Sequence, residues 1–193
     1  MQSPTLEDSR VKLSLLDLSN YKNLIPIAQQ ENLVQFSPSI IHTPEYLKEY
    51  VQNVVDDYYH LTAIPFIVFD KQYQAYAGST RFMNIDKKNS VLEIGATWIG
   101  KEFQGTGLNK HMKFLMLQYA FESMKIEKVE FRVDERNVRS RKAVEKLGAI
   151  YEGTLRKNII MPNGFKRSSC YYGILLEEWP SIKSQIFAQL VTE

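Results

Sequence analysis

Residues 98–109 read Trp98-Ile99-Gly100-Lys101-Glu102-Phe103-Gln104-Gly105-Thr106-Gly107-Leu108-Asn109 and join two segments of different hydrophobic period. Residues 91–99 are rich in β-branched and apolar side chains, whereas apolar side chains recur at helical spacing from Leu108 onward. We therefore predict a strand, a glycine-rich turn and a helix. Unsatisfied N–H groups at a helix N-terminus attract anions, and Gly105 and Gly107 would let the backbone approach one closely. A pyrophosphate is the expected ligand, although two glycines alone could merely shape a tight turn.

The rest of the chain predicts one mixed α/β domain over residues 1–193. Strand-like segments lie at residues 11–18, 64–69, 75–83, 91–99, 129–133, 154–161 and 165–175. Helical spacing is found at residues 21–28, 44–58, 108–123 and 138–147, and residues 32–43 have the character of a loop. Because a helix separates strands 91–99 and 129–133, we expect these two strands to pair in parallel. Asn163-Gly164 predicts a hairpin between the last two strands.

Composition argues against several classes of protein. Lys and Arg number 24 and Asp and Glu number 22, which gives a net charge of +2. This near-balance argues against a nucleic-acid partner, because proteins that bind nucleic acids usually carry a stronger basic excess. The single cysteine, Cys170, cannot form an internal disulfide, and the three scattered histidines lack the spacing of a metal site. The longest apolar run, residues 63–69, is far shorter than the ~20 residues of a membrane span. We therefore expect a cytoplasmic protein with no metal, no membrane partner and no nucleic-acid partner.

A second motif follows the strand at residues 129–133. It contains Asn137-x-x-Ser140 and ends in Glu145-Lys146-Leu147-Gly148-Ala149. Together with residues 98–109 it resembles the GNAT family of acetyl-CoA-dependent N-acetyltransferases, in the branch that includes the ribosomal-protein N-terminal acetyltransferases. The pyrophosphate loop of that family reads Gln/Arg-x-x-Gly-x-Gly/Ala, and Gln104 and Gly107 conform to it. Asn109 departs from it, because the last position holds Gly or Ala in the family. The resemblance extends from about residue 11 to residue 179.

The resemblance implies a fold and a set of coenzyme contacts. The fold would be a mostly antiparallel sheet with one splayed parallel strand pair, here residues 91–99 and 129–133, and helices on both faces. The pantetheine arm of acetyl-CoA would lie between the splayed strands and bind the backbone of Trp98 and Ile99. Asn137 would hydrogen-bond the same arm. The pyrophosphate would be held by the loop of Gln104, Gly105, Thr106, Gly107, Leu108 and Asn109.

Glu93 and Ser140 are the candidate catalytic residues. Acetyl transfer needs a neutral amine, and Glu93 could accept the amine proton, because a carboxylate in a central strand is expensive unless it is paired or used. Ser140, which the resemblance places near the thioester sulfur, could protonate the leaving thiolate. Both have structural alternatives. Glu93 could lie at the exposed start of its strand, and Ser140 could be a polar residue of the first helical turn.

The acceptor pocket is expected between the loop at residues 34–43 and the Asn163-Gly164 hairpin. Phe36, Tyr171 and Tyr172 are the candidate substrate-binding residues, though each could equally belong to the core. The acceptor is left open among a protein N-terminus, a polyamine, an amino acid and an antibiotic. The oligomeric state is also open, with a homodimer as one option.

We thus predict transfer of an acetyl group from acetyl-CoA to a primary amine of a peptide or small molecule, by direct attack on the thioester. The alternative is a non-catalytic acyl-CoA-binding or partner-binding module on the same fold, and the joint presence of Glu93, Asn137 and Ser140 favours the enzyme. A basic cluster is expected to form mostly a solvated helix face, with some members free to meet the coenzyme phosphates. It comprises Arg132, Arg136, Arg139, Arg141, Lys142 and Lys146.

Overall fold

A computed structural model describes residues 4–191, and within them eight strands form one sheet. The strands are β1 (Leu6–Glu7), β2 (Val11–Leu15), β3 (Ile64–Asp70), β4 (Ala75–Asp86), β5 (Val91–Ile99), β6 (Lys128–Asp134), β7 (Ile150–Ile160) and β8 (Lys166–Leu175). The helices are α1 (Ile25–Ala28), α2 (Pro44–Tyr59), α3 (Leu108–Gln118), α4 (Val138–Glu145), α5 (Trp179–Ile186) and α6 (Ala188–Val191). None of the helices in the described ranges has the length and apolar character needed to cross a membrane.

The sheet is antiparallel except at one strand pair. Its order is β1-β2-β3-β4-β5-β6-β8-β7, and β5 and β6 are parallel, joined through α3. This confirms the predicted crossover. The parallel pairing runs only from Val91 to Glu93 on β5, although that strand continues to Ile99. Beyond Glu93 the two strands therefore diverge, as the predicted splayed pair requires.

Helices and loops cover both faces of the central strands. Neighbouring side chains of a strand point to opposite faces, and in β3 both Phe66 and Ile67 are buried, so this strand is covered on both sides. The helix α2 packs against β3 and α3 packs against β2. Thr43 begins α2 as the sequence pattern indicates, because its side chain accepts a hydrogen bond from the Tyr46 N–H at 3.2 Å.

Several boundaries and two regions differ from the predictions. The first long strand ends at Leu15 rather than 18, because the Asn20 side chain donates to the Leu15 carbonyl and closes a turn there. The α-helical part of α3 ends at Gln118 and continues as one π-helical turn, and β7 begins at Ile150 rather than 154. The edge strand β1 and the helices α5 and α6 were not predicted. The signal for α5 was the spacing of Trp179, Ile182 and Phe187, which are buried.

Candidate active site

A cavity of about 370 Å³ occupies the space where β5 and β6 diverge. Residues 93–98 of β5 and 131–134 of β6 form two of its walls, and α4 contributes Asn137 and Ser140. The loop at residues 33–39 closes another side, together with Arg81, Ile159 and Arg167. The cavity therefore joins the predicted coenzyme elements to the predicted acceptor loop.

The glycine-rich turn at the start of α3 has the open backbone that an anion site requires. Gly105 and Gly107 have φ angles of +79° and +92°, in the region that side chains other than glycine rarely adopt. A Cβ added at either glycine would meet no atom within 4 Å, so that side of the turn is accessible. No side chain caps α3, and Asn109 in its first turn lines the cavity. The turn therefore fits a pyrophosphate bound by backbone N–H groups.

The other side chains of this segment brace the turn. Gln104 donates from Nε2 to the Ile99 carbonyl at 2.7 Å and accepts from Arg139 Nη1 at 2.6 Å. Thr106 accepts from Arg10, and Leu108 is fully buried in the core. Any ligand contact from Ile99, Thr106 or Leu108 would thus come from the backbone, while Trp98 lines the cavity directly.

The first turn of α4 is fixed by Asn137. Its Oδ1 accepts from the Ser140 N–H at 3.0 Å, so Asn137 is the helix cap. Both residues also line the cavity. The capping role uses only the side-chain oxygen and leaves the Asn137 amide nitrogen available for a ligand.

Glu93 is a buried and paired carboxylate. It is 4% exposed, which excludes a place at an exposed strand start. Its Oε2 accepts from Arg132 Nε at 2.5 Å and from Asn84 Nδ2 at 2.8 Å. Burial lowers the pKa of Arg132, but the hydrogen bond and charge of Glu93 outweigh it and raise that pKa on balance. The other oxygen, Oε1, lies over Gly95, where an added Cβ would come within 2.8 Å of it.

The structure separates the three predicted acceptor residues. Phe36 lines the cavity, whereas Tyr171 and Tyr172 are not part of its lining. Tyr172 is fully buried, and its hydroxyl donates to Glu145 and accepts from Arg141, both of α4. The two tyrosines point to opposite faces of the sheet, because adjacent residues of a strand do so. The ring of Tyr171 lies beside the guanidinium of Arg132, which lines the cavity. Acceptor binding by these tyrosines stays a prediction.

The basic cluster is exposed at Arg136, Arg139, Lys142 and Lys146, as a mostly solvated face predicts, whereas Arg132 and Arg141 are half-buried. Arg132 belongs to β6 and pairs with Glu93, and Arg136 pairs with Asp134. Arg139 and Arg141 bind Gln104 and Tyr172. These residues therefore hold the elements around the cavity together, and Arg132 is the member that lines the cavity.

Lys113 of α3 lines the same cavity, a position that no sequence pattern indicated. It is 5% exposed, and its Nζ donates to Thr97 at 2.8 Å and to Thr80 at 3.3 Å. The two threonine hydroxyls also bond each other at 2.7 Å. Burial lowers the pKa of Lys113 to about 7, because the charged form loses its hydration.

We expect Lys113→Met to stabilise the protein at neutral pH. The unfolded chain binds a proton on this lysine up to a pKa of about 10.4, while the folded protein releases it near 7, so folding is penalised below pH 10. Removing the penalty should add on the order of 2–5 kcal/mol to the free energy of unfolding at pH 7 and below. The threonine pair keeps a hydrogen bond of its own.

Thermal melts from pH 6 to pH 10 test this prediction. The gain in melting temperature of Lys113→Met over the wild type should shrink as pH rises from 7 towards 10. Lys110→Met, at an exposed position of the same helix, should show no such trend. A gain in melting temperature that is constant across this pH range would show that folding does not lower the pKa of Lys113.

Residues 4–191 bring together no group of three His, Cys, Asp or Glu side chains that could hold a metal ion. The charged and polar side chains that line the cavity include the carboxyl groups of Glu93 and Asp134, the hydroxyl of Ser140, the amide of Asn137 and the basic groups of Arg81, Lys113, Arg132 and Arg167.

Comparison with known proteins finds acetyltransferases among families, relatives and solved structures alike. The family model described as "Acetyltransferase (GNAT) domain" matches residues 10–150 of the chain. YdaF of Bacillus subtilis (strain 168), provisionally named a ribosomal N-acetyltransferase, is 33% identical over 106 residues, which are 55% of this chain and 57% of YdaF. The match thus spans little more than half the length of that relative.

Solved structures match over more of the chain. A provisionally named acetyltransferase of T. thermophilus has a TM-score of 0.87 at 30% identity, with 98% of each chain covered. The microcin C7 self-immunity acetyltransferase MccE, solved in complex with acetyl-CoA and AMP, shares the fold at 20% identity. Its TM-score is 0.76, over 87% of this chain and 93% of that one.

Proposed function

The chain belongs to the GNAT family of acetyltransferases, and from this premise we propose that it transfers the acetyl group of acetyl-CoA to a primary amine. The observation that carries the proposal is the cavity between the diverging ends of β5 and β6, with the glycine turn beside it. Acetyl-CoA supplies the acetyl group as an activated thioester. MccE, which has the same fold, was solved with this coenzyme, and that supports the choice.

Backbone groups would do most of the coenzyme binding. The N–H groups from Gly105 to Asn109 would bind the pyrophosphate, since the turn is open and positively polarised. The pantetheine arm would lie along the unpaired edge of β5 and meet the Asn137 amide nitrogen. A bulge in β5 supports this arrangement. It leaves Ala96 and Thr97 out of the pairing with β4, and both line the cavity. Backbone dipoles freed in this way can bind developing negative charge.

Glu93 and Ser140 would move the protons. The Glu93 carboxylate would accept the amine proton at Oε1, directly or through a water molecule, while Arg132 and Asn84 hold Oε2. Ser140 would donate to the leaving thiolate. An α-amino group with a pKa of about 8 is roughly one-tenth neutral at pH 7, so the N-terminal amine of a polypeptide needs less help than a lysine side chain. The name of YdaF supports a protein N-terminus as one such acceptor.

A screen of amines with acetyl-CoA, read by thiol release, tests the proposed function. The panel should contain N-terminal peptides, free amino acids, polyamines and an aminoglycoside. We expect turnover with at least one class and an acetylated product by mass spectrometry. Binding of acetyl-CoA without turnover of any amine would instead identify a non-catalytic acyl-CoA-binding module.

Ser140→Ala should lower kcat by about 10-fold and leave acetyl-CoA affinity nearly unchanged. The expected effect is modest because a thiol with a pKa of about 8.5 is already a fair leaving group near neutral pH. Steady-state kinetics and calorimetry on the variant measure the two quantities, with Ser181→Ala, at an exposed position of α5, as the control. Full activity of Ser140→Ala would leave Ser140 as a helix residue only.

A further inference from the structure

The guanidinium of Arg167 is buried without an anionic partner. Arg167 lies on β8 opposite Ile159 and is 7% exposed. Its Nη1 donates to the Phe36 carbonyl at 2.5 Å, while its buried Nε meets no acceptor among the described residues. A buried guanidinium is normally paired, because losing its hydration is costly. Arg167 therefore brings an unsatisfied donor and an uncompensated charge to the cavity that it lines.

The two acidic residues of the cavity already have partners. Glu93 is held by Arg132, and Asp134 accepts from Arg136 at 3.0 and 2.7 Å. Within residues 4–191, no carboxylate forms an ion pair with Arg167. Burial lowers the pKa of Arg167, and the charges of Asp134 and Glu93 act against that effect from a distance. The guanidinium remains the charged form at neutral pH, since arginine does not deprotonate in proteins.

The excess of positive charge extends through the cavity lining. Its permanently charged cations are Arg81, Arg132 and Arg167, its acidic side chains are Glu93 and Asp134, and Lys113 adds a basic group whose pKa burial lowers. A second donor, Arg81 Nε, is also buried without a partner among the described residues. Such a cavity attracts an anion and repels a second positive charge on a bound amine.

Arg167 lies on the side of the cavity where the acceptor is expected. It reaches the cavity from the β7–β8 hairpin and holds the loop that carries Phe36. The proposed coenzyme contacts come from other elements, namely β5, the glycine turn and α4. A ligand that pairs with Arg167 is therefore on the acceptor side.

We propose that the amine acceptor carries a carboxylate and that Arg167 binds it. This inference rests on the proposed function. A guanidinium can bind a carboxylate through two parallel hydrogen bonds, and that would satisfy the buried Nε and the charge together. The carboxylate could be that of a free amino acid or the acidic side chain of a residue near a polypeptide N-terminus. Polyamines and lysine side chains should be poor acceptors.

Acceptor pairs that differ in one carboxylate test the proposal, with each kcat/KM expressed per neutral amine, because amidation of an α-carboxylate also lowers the pKa of the neighbouring amine. The first series represents free amino acids. It compares each carboxylate with its amide, for glycine, β-alanine, aspartate and glutamate. Short peptides with amidated C-termini and Glu or Gln at one of the first three positions represent polypeptide N-termini. We expect kcat/KM to favour the carboxylate over its amide by about 10- to 100-fold in one of the two series. The series that shows the preference identifies the source.

Arg167→Gln should abolish that preference. The kcat/KM values for the carboxylate and for its amide are measured on the same variant. A displaced Phe36 loop would lower both values, so its effect cancels in their ratio. Arg156→Gln, at an exposed position of the same hairpin, should keep the wild-type ratio, and Arg167→Lys should keep part of it. Melting temperature and acetyl-CoA affinity establish that each variant is folded.

Two outcomes overturn the inference in distinguishable ways. Equal turnover of carboxylates and amides, or a preference that survives Arg167→Gln, would show that Arg167 is only a structural tie to the Phe36 loop, with acetyl transfer itself intact. Acetyl-CoA binding without turnover of any amine, charged or neutral, would remove the proposed function and this inference together.

Discussion

Gly107→Val should weaken acetyl-CoA binding by more than about 100-fold in a protein that still folds. Gly107 has a φ of +92°, and a β-branched residue in that region is strained. The valine side chain would also extend into the open side of the turn, where a Cβ meets no protein atom within 4 Å. It would therefore occupy the place of the pyrophosphate and tilt the N–H groups away from it. Calorimetric titration with acetyl-CoA measures the loss.

Gly164→Val is the matched control for this variant. Gly164 has a φ of +80°, its Cβ would also meet open space, and it lies in the β7–β8 hairpin away from the coenzyme turn. Backbone strain should lower the free energy of unfolding of both variants by about 1–3 kcal/mol, so their melting temperatures should fall by similar amounts. Only Gly107→Val should lose acetyl-CoA affinity. Wild-type affinity in folded Gly107→Val would remove the turn from the coenzyme site.

Glu93→Gln should lower kcat/KM by about 10²–10³-fold at pH 6 and by much less at pH 9. At low pH the amine arrives charged and must lose a proton, whereas at high pH much of it is already neutral. Glutamine keeps the size of the side chain and can still accept from Arg132, but it cannot take up a proton. Acetyl-CoA affinity should not change. Initial rates against pH, at saturating acetyl-CoA, give the profile.

The pH profile decides this prediction, and the melting temperature does not. Glu93→Gln leaves the charge of Arg132 uncompensated, so a lower melting temperature is expected even if Glu93 is the base. Glu130→Gln is the control, because Glu130 pairs in register with Glu93 across the parallel strands without lining the cavity. A loss of equal size at every pH would make Glu93 a positioning residue for Arg132.

The position of the glycine turn was predictable because its determinants are local. The change from strand to helical period around residues 98–109 indicated the strand, the turn and the helix. Gly105 and Gly107 fall where the backbone takes positive φ, and that requirement depends on a few neighbouring residues only. The order of strands and helices also predicted the parallel pair, because a strand–helix–strand unit crosses in one way. The pattern of Asn137 and Ser140 likewise produced a capped helix beside the cavity.

The charges of the cavity were decided by the tertiary structure. Glu93 meets Arg132 across 39 residues, and Arg167 meets the carbonyl of Phe36 across 131. No sequence period predicts such contacts, because they depend on strand order and on register, and a shift of one residue turns a side chain to the opposite face. Burial acts in the same way on Lys113, whose pKa falls to about 7 only because the packed threonines and apolar side chains around it exclude water. The sequence by itself therefore determined where the glycine turn forms, while the packing of distant segments decided which ionisable groups line the cavity and what partners they have.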